Sequence, residues 1–144
     1  MRRVLAIDYG ERRLGVALSD PTATFAQPLT TLVRRPGKRP PIQAILDLCA
    51  EHGVSALVVG LPLTLAGGDS DWTREVREFA ARLAARAALP VALVDERLSS
   101  VAAQRAVRSV GLRKQARRQR ERVDASAAAL ILQAFLDQEA RGSK

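Results

Sequence analysis

Three short apolar runs precede the first helical stretch of this chain, and that order limits the folds open to it. Val4 to Asp8 reads as a buried strand, Tyr9-Gly10-Glu11-Arg12 as a tight turn and Leu14 to Leu18 as a second strand. Residues 3–19 are therefore predicted to form a hairpin. Thr24 to Val33 follows as a third strand, and the proline-rich stretch 34–41 must be a loop. Helix and strand then alternate. A helix is predicted over 42–51, a strand over 56–59 and a glycine-rich loop over 60–68. Ser70 or Asp71 opens a helix running to about Ala87, with Trp72, Val76, Phe79 and Leu83 on one face. A short buried strand spans 91–94. Ser99 or Ser100 caps a helix to about Val110, which Gly111 stops, and the last helix is predicted over 123–139. Antiparallel strands first and parallel crossovers afterwards imply an α/β fold: a mixed sheet covered by helices on both faces.

At 144 residues, with no internal repeat and no linker, the chain suits one domain over 1–140, followed by a frayed tail at 141–144. One cysteine, Cys49, excludes an internal disulfide and a multi-cysteine zinc cluster. One histidine, His52, disfavours zinc chemistry and a histidine-based triad. The chain enters a strand within a few residues and has no apolar run near the ~20 residues of a membrane helix. A cytoplasmic protein without a membrane partner is expected.

Three carboxylates stand out. Asp8 ends the first apolar run, Glu96 follows Val91-Ala92-Leu93-Val94-Asp95, and Asp124 opens the last helix. In an open α/β sheet, sites form at the carboxyl ends of parallel strands, where Asp8 and Glu96 both fall. Asp124 shares a helical face with Ala128, Ile131 and Phe135, the stripe that should pack on the sheet. Three converging carboxylates repel one another unless a cation sits among them. Mg²⁺ or Mn²⁺ prefers oxygen ligands, and two such ions about 4 Å apart can drive an in-line displacement without a side-chain nucleophile. Each acid also has a plainer reading. Asp8 suits a turn start and Asp124 a helix cap. Glu96 competes with Asp95, because a buried strand has no clear alternation.

The net charge of +8 is local. Residues 113–122 hold six basic residues and one acid, a net of +5, which leaves +3 for the rest. Of 23 basic residues, 20 are arginine, whose planar fork suits bidentate phosphate contacts. Arg113, Lys114, Arg117, Arg118, Arg120 and Arg122 are therefore candidate nucleic-acid contacts, with Arg12 and Arg97 beside the acidic positions as further ones. A solvated face is the plainer alternative. The amides of Gly60-Leu61-Pro62 and Gly67-Gly68 could touch a phosphate, or these glycines could serve a turn that needs positive φ.

These stretches together resemble the YqgF (RuvX) family of the ribonuclease-H-like superfamily. The matching segments are Ala6-Ile7-Asp8-Tyr9-Gly10 with Leu14-Gly15-Val16-Ala17, Val59-Gly60-Leu61-Pro62 with Gly67, Asp95-Glu96-Arg97-Leu98-Ser99, and Asp124-Ala125-Ser126-Ala127-Ala128 with Ile131-Leu132. They span nearly the whole chain in the family's order. Family members often have a longer polar residue at the position of Ala125. The resemblance implies a ribonuclease-H-like fold with five strands and an acidic metal site at Asp8, Glu96 and Asp124, which favours Glu96 over Asp95. It further implies a nuclease maturing the 5′ end of the small-subunit (16S) ribosomal RNA precursor or, by analogy with RuvC, a Holliday junction resolvase.

Three readings follow. The first is a Mg²⁺- or Mn²⁺-dependent phosphodiesterase acting on structured RNA, within a pre-ribosomal particle if it needs one. The second is the same chemistry on four-way DNA junctions, which requires paired cuts and hence a dimer. The third is a non-enzymatic RNA-binding assembly factor. A monomer or weak homodimer is expected. If the run at 113–122 makes about five phosphate contacts, log K for RNA should fall with log salt at a slope near −4, measurable by titration; a slope near zero would make the run a solvated face.

Overall fold

In the computed structural model of the protein, which describes residues 2–35, 39–99, 101 and 116–142, with the side chains of 116–124 outside the description, the first two strands form the predicted hairpin. β1 (Arg3–Tyr9) pairs antiparallel with β2 (Arg13–Ser19), Asp8 opposite Gly15. β2 pairs antiparallel with β3 (Ala26–Val33), which starts two residues later than expected. The carboxylate of Asp20 accepts the amides of Thr24 and Phe25 at 2.8 Å each, so those residues serve the β2–β3 turn instead of a ladder. The pairing shifts register between Val16 and Ala17, next to Pro28 of β3.

The chain then crosses to the other side of β1 through α1 (Ile42–His52). Gly53 ends that helix at φ +64°, its amide donating to the Cys49 carbonyl. β4 (Val54–Leu61) runs parallel to β1, with Val4 beside Ala56 and Ile7 beside Val59. α2 (Asp71–Ala87) is opened by Ser70, whose hydroxyl accepts the Thr73 amide while Thr73 Oγ1 accepts the Ser70 amide at 3.1 Å, a reciprocal cap. β5 (Val91–Asp95) completes a sheet ordered β3-β2-β1-β4-β5, and α3 (Ala116–Gly142) is the last helix. The expected helix over 99–110 lies outside the described residues, apart from buried Val101.

Strand alternation divides the core between the two faces. Leu5, Ile7, Tyr9, Val16, Leu57 and Val59 meet α1 and α2 through Ile45, Val76, Phe79 and Leu83. Val4, Ala6, Ala17, Ala56, Val58 and Val94 meet α3 through Ala127, Ala128, Ile131, Leu132 and Leu136. The sheet is mixed and has helices on both faces, as the element order requires. The α3 face is alanine-rich on both sides, which lets the helix lie close to the strands.

Three expectations need correction. α3 begins at Ala116, not near 123, because Ala, Arg, Gln and Glu are strong helix formers and extend the helix through the basic stretch. It also continues through Gly142, so Arg141 and Gly142 are helical instead of frayed; residues 143–144 lie outside the described part. β4 likewise runs two residues past Val59 to include Gly60 and Leu61, which pair with Val94 and Asp95. Among the described residues no helix is long and apolar enough to cross a membrane. Phe79 is 2% exposed and stacks on Tyr9 with ring centroids 4.3 Å apart. Phe79→Ala should lower unfolding free energy by about 3–5 kcal/mol in urea titration, because the cavity lies between helix and sheet with little freedom to collapse.

Candidate functional site

Asp8 is the last residue but one of β1, and alternation with Val4 and Ala6 places it on the α3 face. It is 6% exposed. Its neighbour across β2 is Gly15, and the register that sets Ile7 beside Val59 brings Gly60 alongside it on β4. Glycines thus flank Asp8 on both sides, and no side chain from either neighbouring strand fills the space beside its carboxylate.

Glu96 enters the same space from the other direction. It begins a short 3₁₀ turn, Glu96–Leu98, directly after β5, and is 7% exposed. A Cβ added to Gly60 would lie 2.9 Å from Glu96 Oε1, 3.3 Å from Glu96 Cγ and 2.6 Å from Ile131 Cδ1 of α3. The Glu96 side chain therefore lies over Gly60, next to Asp8, under the apolar stripe of α3. Only glycine leaves room for this contact.

Asp95 takes a different role. Its carboxylate accepts a 2.6 Å hydrogen bond from Arg97 Nη2 and caps the 3₁₀ turn through the Arg97 amide at 2.9 Å. The Arg97 guanidinium holds the Asp95 carboxyl below its ordinary pKa range. Arg97 also donates to the Leu65 carbonyl at 3.4 Å, so this candidate nucleic-acid contact has protein partners. Arg12 is exposed in the β1–β2 turn.

Position 124 lies inside α3, one turn before Ala128 and two turns before Ile131, about 10 Å along the axis from the residue that touches the Gly60 position. It is the ninth residue of the helix, so the capping role considered for Asp124 does not apply. The Asp124 side chain lies outside the described residues. So do Arg113 and Lys114 entirely, and the side chains of Arg117, Arg118, Arg120 and Arg122, whose backbone belongs to the first turns of α3. Among the described residues no group of three acidic, histidine or cysteine side chains is assembled for a metal. What is assembled is the pair Asp8 and Glu96.

The glycine-rich loop after β4 is self-satisfied. The Gly67 amide donates to the Thr64 carbonyl at 2.9 Å, the Gly68 amide donates to Thr64 Oγ1 at 3.0 Å, and Gly67 holds φ +88°. Gly67 and Gly68 form the tight turn, whereas Gly60, read from the sequence as a loop glycine, pairs with Val94 in β4. Sequence reading missed Gly15 and the closeness of Gly60 to Glu96, although both glycines fall in strands where glycine is otherwise unfavourable.

Comparison with known proteins agrees with this architecture. The family described as RuvX, Holliday junction resolvase, matches residues 2–138. A relative from Koribacter versatilis named "Putative pre-16S rRNA nuclease" is 45% identical over 94% of this chain and 86% of its own length. One of the same name from Roseiflexus sp. is 44% identical over 95% of each chain. Among solved structures, T. thermophilus RuvC in complex with Holliday junction substrate superposes with a TM-score of 0.59 at 18% identity, covering 97% of this chain and 96% of that one. That likeness shows a ribonuclease-H-like fold. Gly60→Ala should reduce any activity of the Asp8–Glu96 site at least tenfold and destabilise the fold by about 1–3 kcal/mol through overpacking, as read by parallel turnover and urea measurements. Unchanged activity and stability would mean that the close approach is not required.

Proposed function

Because the chain belongs to the RuvX family, we propose that it is a nuclease: a hydrolase of phosphodiester bonds that acts on the precursor of 16S ribosomal RNA, with divalent metal at Asp8, Glu96 and Asp124. The observation that supports this reading most is the pair of buried carboxylates over a glycine floor. Both acids are nearly fully buried, 6% and 7% exposed, at the ends of β1 and β5. Their carboxylate oxygens are the donors a hard cation prefers.

In this reading Asp8 and Glu96 are first to hold Mg²⁺ or Mn²⁺, and Asp124, two turns before Ile131 on α3, completes the set. Bound metal would supply a water activated for attack and charge neutralisation at the leaving oxygen. Gly60 lets Glu96 lie against β4 beside Asp8, where a bulkier side chain would displace it. Arginines of the 113–122 stretch, with Arg12, grip the backbone on either side by bidentate contacts. The apolar packing of Ile131 against the Gly60 position fixes α3, and with it position 124, relative to the sheet.

The names of the relatives favour RNA. The family's description as a resolvase makes a four-way DNA junction the control substrate. The test is cleavage of a 5′-extended 16S precursor fragment and of a four-way junction, each with Mn²⁺ or EDTA. Wild type should cut the RNA only with metal, and Asp8→Asn should lose at least a hundredfold in cleavage while RNA affinity stays within about twofold. Cutting of the junction alone would assign the protein to DNA. Binding of RNA with no cutting under any metal would leave a binding factor.

A further inference from the structure

Some arginines of this protein are held by carboxylates and others are not. Arg2, Arg74, Arg77 and Arg97 are each paired with a carboxylate: Glu139, Asp71, Asp69 and Asp95. Arg12, Arg13, Arg34, Arg35 and Arg39 form no ion pair among the described residues. These five are 27 positions apart at the extremes, yet the fold gathers them at one place. Arg13 starts β2 opposite Val33, the last residue of β3, and the Arg34 amide donates to the Arg12 carbonyl at 2.8 Å. The ends of β2 and β3 therefore bring Arg12, Arg13, Arg34 and Arg35 side by side, with Arg39 shortly beyond. Arg12, Arg35 and Arg39 are exposed, and Arg13 and Arg34 half-buried. The acid within this group is Glu11, in the β1–β2 turn.

This cluster stands at the same end of the sheet as the carboxylates. β2 runs antiparallel to β1, so the start of β2 adjoins the carboxyl end of β1. Arg13 lies two residues, about 7 Å, along β2 from Gly15, the partner of Asp8, and β3 is one strand further out at ~4.8 Å. Like charges are gathered here without ion-pair partners among the described residues, within a few nucleotides' reach of the acidic pair. Arg34 is held in place by stacking over the Tyr9 ring, 4.9 Å from its centroid. It and Arg39 also border a cavity of about 240 Å³ whose other wall includes Glu75 and Glu78. Those acids repel phosphate, so an anionic strand would follow the Arg12, Arg13 and Arg35 side of the group and not enter the cavity.

We propose that Arg12, Arg13 and Arg35 form a second phosphate track, which holds the nucleic-acid backbone on the β2–β3 side of the cleavage site, apart from the stretch at 113–122 and from Arg34 and Arg39, which border the cavity on the α2 face. The inference rests on the nuclease reading for its occupant, single-stranded RNA leading away from the carboxylates. It differs from that reading in resting on charge and register instead of metal chemistry. A polyanion bound here is held by counterion release, so each phosphate contact adds about 0.7 to the salt slope for a single strand.

The test measures binding of a fluorescent single-stranded RNA oligonucleotide in EDTA across a salt series. It compares wild type, the triple variant R12Q/R13Q/R35Q and the control R74Q/R77Q on α2. Arg34 is left intact because it packs on Tyr9, and circular dichroism checks each variant's fold. The triple variant should show a slope shallower by about 2, three contacts at ~0.7 each, and the control should match wild type. A slope equal to wild type in the triple variant, or the same loss in the control, would overturn the track. Because metal is absent, the result is independent of cleavage. Failure of the nuclease reading appears instead as intact RNA when Mn²⁺ is added to the same wild-type preparation.

Discussion

Burial of two carboxylates at the end of an apolar sheet is the constraint on which the rest of this structure depends. A charge removed from water has to be compensated by the groups around it. Asp8 and Glu96 nevertheless lie where β1 and β5 end, beneath a helix whose facing side chains are Ala127, Ala128 and Ile131. The residues around them suit that placement. Glycine at 15 and 60 removes bulk where the acids need space, and the short side chains of Ala6, Ala17 and Ala56 let α3 descend onto the sheet. The opposite face has no such requirement and is packed with Leu5, Ile7, Leu57, Phe79 and Leu83, which supply the larger apolar burial. One face therefore provides most of the stability and the other the site. The sheet between them transmits position from the first to the second.

Close packing also explains how the candidate site and the proposed substrate grip share one element. α3 extends from the arginine-rich stretch to Gly142 as a single helix. Its middle is fixed by Ile131 against the Gly60 position, and its far end by the Arg2–Glu139 pair at 2.8 Å. The exposed ion pair adds little energy, so the apolar stripe supplies most of the anchoring.

The hairpin, the mixed pairing and the two helix-covered faces were legible in the sequence, because the first three runs have no room for a crossover and the later ones have helices between them. Ser70 was equally readable as the opening of a helix. The choice between Asp95 and Glu96 was not readable from the residues alone. A buried strand has no alternation to count, and the answer depends on a 3₁₀ turn that sends Asp95 to Arg97 and Glu96 over Gly60. The start of α3 was misjudged for a similar reason: a polar, arginine-rich stretch lacks apolar periodicity, yet its helix propensity is high. The role of Gly60 and the gathering of Arg13, Arg34 and Arg35 depend on strand register, and register is a property of pairs of segments that no single stretch of sequence contains.

The irregular pairing of β2 with β3 has a consequence outside the site. β3 is an edge strand, and Pro28 within it has no amide hydrogen to offer a neighbouring molecule. The register shift beside it adds local twist to the same border. Strand addition by another chain needs an unbroken, flat row of donors and acceptors, and this border presents neither. The flank of the sheet that bears the unpaired arginines is thus protected from templated self-association, and a surface built to attract polyanions can stay exposed at high protein concentration without seeding fibres.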